Sequence, residues 1–365
     1  MRIKEITSFI ETLAPAAYQE SYDNAGLCIG NPDEEAEGIL ITLDVTEAVI
    51  DEAIRLGFNM IVSHHPLIFS GIKKITGKSE TERCIRKAIK NDIAIYAAHT
   101  NFDSVHGGVN TKICEKLGLK TCRVLSPVEG QLKKLVTFVP TTGLDNVRSA
   151  LFKAGAGHIG NYDSCGYTVT GTGSFCGDET TNPYVGERGK LHFENETRFE
   201  TIFPKHLQNR IISALLEAHP YEEVAYDIYP LDNPNPWVGF GMIGELDEAV
   251  NEEEFLHSVK NIFGCKVIRH TAFLHEKVKK VAVAGGSGSS FLRAAIVANA
   301  DAFISGDFKY HQFFEAENKI LIADIGHFES EQFTNELFYE LLTKKFPTFA
   351  VRLSEIKTNP VNYLI

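Results

Sequence analysis

The sequence has no CxxC pair, and its seven cysteines are scattered along 365 residues. An odd and dispersed set excludes a disulfide framework or a zinc ribbon, and it is typical of a reducing compartment. No apolar run reaches the roughly 18 residues that a membrane-spanning helix needs. Glu5 and Glu11 lie within an amphipathic N-terminal pattern, which predicts a helix rather than a signal peptide. These absences predict a soluble protein of the cytoplasm without a membrane partner.

Basic residues are also scarce, because 36 Lys and Arg face 48 Asp and Glu, which gives a net charge of -12. Such a balance disfavours nucleic acid as a partner, since phosphate binding needs a basic patch. Hydrophobic residues make up 44% of the chain and charged residues 23%, so it can build a full core. The length favours two domains.

Strand and helix patterns alternate over residues 1–126 and again over 246–365, which predicts an α/β fold with helices on both faces of a sheet. The predicted strands cover 38–45, 59–62, 93–98, 278–284, 302–305 and 320–324. The predicted helices cover 46–56, 80–91, 108–117, 291–299, 309–317 and 329–344, with Thr46 as an N-cap and Gly118 as a C-terminal stop.

The middle of the chain, residues 127–245, has a different pattern. Two β-α-β rounds are predicted, with strands over 135–140, 167–171, 197–203 and 224–229 and helices over 145–154 and 205–218. This order is typical of a ferredoxin-like split fold. We therefore expect one α/β domain formed by both chain ends (1–126 and 246–365) around a metal site, with an inserted ferredoxin-like α+β domain at 127–245. Two independent α/β domains flanking a spacer are the alternative.

Two adjacent histidines, His64 and His65, follow the buried strand pattern at 59–62, and Pro66 prevents a helix through the pair. The imidazoles therefore lie at the carboxyl end of a strand, where open α/β sheets bind their ligands. Neighbouring side chains on extended backbone point to opposite sides, so two ions close together suit this pair better than one. A pair of surface histidines is the alternative interpretation.

Two further strand ends carry imidazole and carboxylate groups. Asp103 follows the strand that ends at Ala98, and His327 and Glu331 lie four residues apart at a strand-to-helix transition. With His64 and His65 they form a mixed nitrogen and oxygen set that suits two divalent ions of zinc, manganese, iron or cobalt. Five ligands shared over two ions leave positions for water, as catalytic sites do and closed structural zinc sites do not. Ions about 3.5–4 Å apart are the usual arrangement for metal-assisted hydrolysis.

Other polar residues are candidates for contacts with substrate or with the ligands. The loop at 285–290, which includes Gly286, Ser287 and Gly288, follows a strand and precedes a helix, so its amides are candidates for holding an anion. It matches neither GK[ST] nor GxGxxG, and a plain tight turn is the alternative. His99, Asp307 and His311 are candidates for orienting the ligands or transferring protons.

Taken together, five segments resemble the family named GTP cyclohydrolase 1 type 2 homologues. They are SYDNAGL (21–27), TLDVT (42–46), SHHP (63–66), HTNFD (99–103) and GHFESE (326–331). The resemblance implies that His64, His65, Asp103, His327 and Glu331 bind two divalent metals, with Glu331 bridging them. It also implies a toroidal homohexamer and an insert similar to the CutA and PII-like fold, which HPYEEV (219–224) resembles.

Two function classes are compatible with these features. The first is a metal-dependent hydrolase that acts on a nucleotide or another small anionic, phosphate-bearing molecule, with ring opening of GTP as one version. The second is a non-catalytic regulatory or scaffold ring whose PII-like insert senses a ligand. Turnover that depends on Glu331 would separate them.

Overall fold

The computed structural model of the chain describes residues 1–364. Its strands, in chain order, are β1 (Gly26–Ile29), β2 (Ile39–Thr42), β3 (Met60–Ser63), β4 (Ala94–Ala97), β5 (Lys120–Pro127), β6 (Leu132–Pro140), β7 (Gly166–Phe175), β8 (His192–Pro204), β9 (Tyr226–Leu231), β10 (Gly239–Asn251), β11 (Arg269–His270), β12 (Lys277–Val283), β13 (Ala302–Ser305), β14 (Leu321–Asp324) and β15 (Val351–Leu353).

The α-helices are α1 (Ile3–Leu13), α2 (Glu47–Leu56), α3 (Glu80–Lys90), α4 (Thr100–Asp103), α5 (Val109–Leu117), α6 (Leu144–Lys153), α7 (Gln208–Ala218), α8 (Glu252–Phe263), α9 (Leu292–Val297), α10 (His327–Glu331) and α11 (Thr334–Lys345). Short 3₁₀ turns cover Ala16–Tyr18, Thr141–Gly143, Lys205–Leu207, Ser289–Phe291 and Tyr310–Ala316. None of the helices among the described residues is long and apolar enough to span a membrane.

The chain forms two compact units, one from residues 1–126 with 237 onward and the other from residues 127–236. The first unit contains two sheets, with strand orders β1-β4-β3-β2-β15 and β11-β14-β13-β12-β10-β5. Strands β2, β3 and β4 are parallel to one another, and so are β12, β13 and β14. The prediction of an α/β fold is therefore confirmed.

Successive residues of the central strands pack into different cores because side chains alternate across a sheet. One core takes residues from both sheets of the first unit, including Ile41, Met60, Val62, Val281 and Ile304. The opposite face of the first sheet packs against α2 and α3, and the opposite face of the second packs against α9. Burial on both faces explains why these strands are nearly continuous apolar runs.

Helix ends in the first unit follow the local sequence signals. Thr46 caps α2, since its hydroxyl accepts a hydrogen bond from the Val49 amide. Gly118 ends α5 in the left-handed conformation, with φ of +70°. Both predictions are confirmed.

The second unit has the β-α-β-β-α-β order of a ferredoxin-like split fold. Its antiparallel sheet has the strand order β7-β8-β6-β9. Helices α6 and α7 bury one face, where Leu135, Phe199 and Phe203 pack with Leu151 and Ile211. This unit therefore has a core of its own.

Several features differ from the sequence expectations. The second unit ends at Pro236 rather than at residue 245, because β10 pairs with β12 of the first unit through Met242 and Val283. The prolines before this strand and the glycines within it hid its pattern. The helix predicted over 329–344 is two helices, α10 and α11, and the side-chain amide of Gln332 between them donates to the Phe263 carbonyl. The segment predicted as a helix over 309–317 is a 3₁₀ turn.

Candidate metal centre

The carboxyl ends of parallel strands from both sheets of the first unit meet at one place. His64 and His65 follow β3, Asp103 ends the short helix α4 after β4, and His327 and Glu331 lie on α10 after β14. Gly326 gives the chain its sharp entry into α10, with φ of +95°, and a Cβ there would lie 2.4 Å from a carboxylate oxygen of Glu329. The fold thus brings all five residues of the predicted ligand set together.

His65, His327 and Glu331 form what we call the outer cluster. Glu331 Oε2 lies 3.0 Å from His65 Nε2 and 3.1 Å from His327 Nε2, and the two nitrogens are 3.3 Å apart. Two nitrogens that bind the same tetrahedral zinc ion, each at about 2.0–2.1 Å, lie about 3.3 Å apart. The outer cluster therefore already has the spacing that a shared ion requires.

His64, Asp103 and Glu331 form the inner cluster. His64 Nε2 lies 3.6 Å from Glu331 Oε1 and 3.8 Å from Asp103 Oδ1. His64 is completely buried, and Glu331 is 3% exposed. Because its two carboxylate oxygens face different clusters, Glu331 is the residue that both share.

Three buried atoms of the centre have no hydrogen-bond partner: His64 Nε2, Asp103 Oδ1 and Glu331 Oε2. An unsatisfied buried polar atom costs about 1–3 kcal/mol, and charged groups cost more. All three atoms belong to groups of His, Asp and Glu whose ligand atoms lie within 4.8 Å of one another. The donor set therefore fits divalent cations, which would satisfy these atoms together.

A second layer of hydrogen bonds fixes the imidazole rings. His65 Nδ1 donates to Asp44 Oδ1 at 2.7 Å, and His327 Nδ1 donates to Asp307 Oδ2 at the same distance. His64 Nδ1 donates to the Ala98 carbonyl at 2.9 Å. Since these partners only accept, each ring keeps Nε2 for a ligand, the arrangement typical of metal-binding histidines.

The electrostatics of the centre favour a cation. Burial raises the pKa of Asp103 well above its usual range, and the charge of Glu331 adds to this effect. Burial lowers the pKa of His64, so its ring is neutral, as a ligand must be. Burial also opposes the charge on His65 and His327, yet the neighbouring carboxylates, Glu331 beside both and Asp44 or Asp307 on the far nitrogen, raise the pKa of His65 to about 10 and that of His327 to about 9. A metal ion that binds these two rings must therefore displace their Nε2 protons. The carboxylates of Asp103 and Glu331 are thus close together in a largely buried place, and positive charge stabilises them.

A cavity of about 560 Å³ opens onto the centre and is lined by His65, Asp103, His327 and Glu331. Its walls also carry phenyl and phenol rings and aliphatic hydroxyls, from Tyr22, Phe69, Phe240, Phe291, Thr100, Ser287 and Ser290. This volume is within the range typical of small-molecule sites. The centre can therefore be reached by a ligand of modest size.

The loop at 285–290 differs from the anion cradle that the sequence suggested. The amides of Gly285, Gly286 and Gly288 donate to Asn110 Oδ1, Ser330 Oγ and Ser305 Oγ, each at 2.9 Å. Because these three amides already donate to protein side chains, they are not free to bind an anion, and the prediction is wrong for them. Gly286 has a different role, because a Cβ there would lie 2.2 Å from Glu331 Oε1. Ser287 does line the cavity.

The other candidates divide into near and distant residues. His99 lies beside His64 and His65 and donates from Nδ1 to Asp23 Oδ1 at 2.8 Å. Although burial opposes it, this bond and one from Thr100 lower the pKa of Asp23 to about 2. Asp307 orients His327, as described above. His311 is exposed and packs beside Tyr310 and Phe314, and its role stays a prediction.

Two carboxylates were missed as orienting groups, namely Asp23 and Asp44. Asp44 follows β2, which is parallel to β3, and the pairing of Thr42 with Ser63 brings the two strand ends side by side. Parallel strands with adjacent carboxyl ends could have indicated it. Asp23 lies in a loop far from His99 in sequence, and no local pattern predicts that contact.

Comparison with known proteins identifies the family. The family model for Duf34/NIF3 (NGG1p interacting factor 3) matches residues 1–360. The chain belongs to this family. It is similar to a Halalkalibacterium halodurans protein named GTP cyclohydrolase 1 type 2 homolog, with 41% identity over 98% of each chain. A Bacillus subtilis protein of the same name is 39% identical over 99% of this chain and 98% of its own length.

Solved structures agree with this assignment. The crystal structure of a Bacillus cereus protein related to NIF3 matches with a TM-score of 0.86 and 41% identity, over 100% of this chain and 99% of that one. The crystal structure of Staphylococcus aureus protein SA1388 matches with a TM-score of 0.79 and 27% identity, over the same shares. The resemblance stated from the sequence motifs is confirmed at the level of family and fold.

Proposed function

We propose that the protein is a dinuclear-metal hydrolase that acts on a nucleotide or another phosphate-bearing small molecule. The observation that carries this proposal is the position of Glu331, whose two oxygens face two separate ligand clusters on the wall of one cavity. This arrangement is suited to two ions rather than one. The proposed ligands are His64, His65, Asp103, His327 and Glu331.

Two divalent ions held there would supply Lewis acidity and lower the pKa of water to near neutrality. The chain would contribute orientation and exclusion of bulk water. Asp44 and Asp307 hold the outer rings, and the Ala98 carbonyl holds the inner ring. Ser287 and Ser290 offer hydroxyls to a polar substrate group, and the aromatic walls offer apolar faces to the rest of it.

Zinc, manganese, iron and cobalt all suit this nitrogen and oxygen set, and cellular supply decides among them. The names of the relatives support GTP as a substrate to test first. A toroidal homohexamer, a CutA- or PII-like role for the second unit and a cytoplasmic location stay predictions from the sequence.

A regulatory or scaffold ring is the second candidate, and a separate observation favours it. The second unit has its own core, and the three possible metal-binding groups found among the described residues all lie in the first unit. A sensing role for this unit would need no chemistry at the metal centre.

The test is turnover by the metal-loaded full chain against GTP, other nucleotides and simple phosphoesters. Glu331→Ala should abolish metal binding at both clusters and reduce turnover by at least about 100-fold. Glu336→Ala is the matched control, because this glutamate lies on α11 and pairs with Lys112 and Lys116. No turnover of any substrate by a chain that holds two ions would contradict the hydrolase and favour the regulatory ring.

A further inference from the structure

The C-terminal segment, residues 354–364, contains no helix or strand and returns from β15 to the metal centre. Ser354 and Glu355 begin it, and both donate to the carboxylate of Glu52, which is 4% exposed. Charge-assisted bonds to a buried carboxylate are among the stronger hydrogen bonds. The segment is therefore anchored at its start.

Two bonds further along connect the segment to residues next to the ligands. Thr358 Oγ1 donates to Asp44 Oδ2 at 2.7 Å, while Asp44 Oδ1 accepts from His65 Nδ1 at the same distance. Asn359 Nδ2 donates to Glu329 Oε1 at 3.2 Å, and Glu329 lies between the ligands His327 and Glu331 on α10. The segment thus contacts Asp44, which bonds the ring of His65, and α10, which carries His327.

The same segment forms the wall of a second cavity of about 640 Å³. Asn359, Pro360 and Tyr363 line this cavity together with His65 and His327. Neither His64 nor Asp103 lines it. The imidazoles that line this cavity therefore belong to the outer cluster.

We propose that the C-terminal segment sets the metal affinity of the outer cluster, with Thr358 as a positioning residue that acts through Asp44. Asp44 can orient His65 only if the plane of its own carboxylate is fixed. His65 bonds one carboxylate oxygen of Asp44, Oδ1, and Thr358 bonds the other, Oδ2. The inner cluster has no such link, because His64 Nδ1 donates to a backbone carbonyl. This inference rests on the proposed metal-binding centre, but it does not depend on turnover.

The experiment measures Mn²⁺ affinity in two full-length backgrounds that isolate the clusters. Asp103→Asn should weaken Mn²⁺ binding at the inner cluster, so that the remaining affinity reports on the outer cluster. His327→Ala should weaken binding at the outer cluster, so that the remaining affinity reports on the inner cluster. In the Asp103→Asn background, Thr358→Val should weaken Mn²⁺ binding by about 3- to 10-fold, less than the roughly 10- to 100-fold typical of direct orienting partners. Thr358→Ser should restore the affinity, because it keeps the hydroxyl.

Thr343→Val is the matched control, since the Thr343 hydroxyl donates to the Tyr339 carbonyl within α11. In the His327→Ala background, Thr358→Val should leave the affinity unchanged. Equal loss in both backgrounds, or no loss in the Asp103→Asn background, would overturn the role of the segment while leaving the two-ion centre intact. If neither background nor the parent chain binds Mn²⁺, the metal centre itself fails, and the inference fails with it.

Discussion

The inner and outer clusters share Glu331 but differ in access and in how their rings are held. In the inner cluster, His64 is fully buried and bonds a backbone carbonyl. In the outer cluster, the side chains of His65 and His327 are 22% and 38% exposed, and both rings bond carboxylates. A carboxylate partner makes an imidazole a more basic ligand, whereas a carbonyl mainly fixes its orientation.

This difference indicates a division of work between the two positions. The inner cluster has a second carboxylate, Asp103, and its imidazole is fully buried, so we expect an ion there to exchange slowly. The outer cluster has no carboxylate besides Glu331, and its imidazole rings line both cavities. We therefore expect the outer ion to exchange faster and to be the one that the surrounding chain adjusts.

Metal removal should have the largest effect on the molecule. One ion at a free concentration 100 times its Kd stabilises the folded state by about 2.7 kcal/mol, so two ions contribute about 5 kcal/mol. For the first unit, which is slightly larger than 250 residues, that corresponds to a fall in Tm of roughly 10 °C on chelation. Calorimetry of the metal-loaded chain with and without a chelator measures it.

Single-cluster variants sharpen this measurement. Asp103→Asn and His327→Ala should each show a smaller fall in Tm on chelation than the parent, and Glu331→Ala should show none. If the Tm of the parent chain did not change on adding the chelator, cations would not be what satisfies the unpartnered polar atoms of the centre.

The next largest effect should come from removing a carboxylate that bonds an outer-cluster ring, because only the outer cluster should lose metal affinity. Asp307→Asn takes a charge from beside His327, and we expect it to weaken binding at the outer cluster by about 10- to 100-fold. Binding at the inner cluster should stay within about twofold, since His64 has no carboxylate on Nδ1. Two-step titration with Co²⁺, followed by its visible absorption, reads both positions.

The control for this substitution is Asp301→Asn. Asp301 accepts hydrogen bonds from the amides of Lys279 and Lys280 and contacts neither cluster. A similar weakening of both Co²⁺ steps by Asp307→Asn would show that the two positions are not independent.

The sequence predicted the parts of the centre that depend on local pattern. An apolar run that stops at His64 and His65, and the four-residue spacing of His327 and Glu331, were enough to place these groups at strand ends. The proposal that Glu331 bridges two ions came from the motif resemblance. Which oxygen of Glu331 faces which cluster, and which groups Asp23, Asp44 and Thr358 contact, depend on contacts between segments far apart in sequence. Periodicity carries no information on such contacts.

Gly286→Ala tests the contact between the inner cluster and the backbone of the 285–290 loop. Gly286 has φ of +62°, and a Cβ there would lie 2.2 Å from Glu331 Oε1, the oxygen that faces His64. The left-handed conformation alone costs an alanine about 1–2 kcal/mol. Gly264→Ala has the same cost, because Gly264 also has φ of +62° at the end of α8, but no atom lies within 4 Å of its Cβ position.

The comparison of these two variants isolates the contact with Glu331. Both should lose about 1–2 kcal/mol of unfolding free energy, and Gly286→Ala should lose about 1 kcal/mol more from the forced shift of the carboxylate. Only Gly286→Ala should weaken the inner Co²⁺ step, because displacement of Oε1 separates it further from His64. Equal Co²⁺ titrations for both variants would mean that Glu331 adapts to the added methyl group. The inner cluster would then be less rigid than its burial implies.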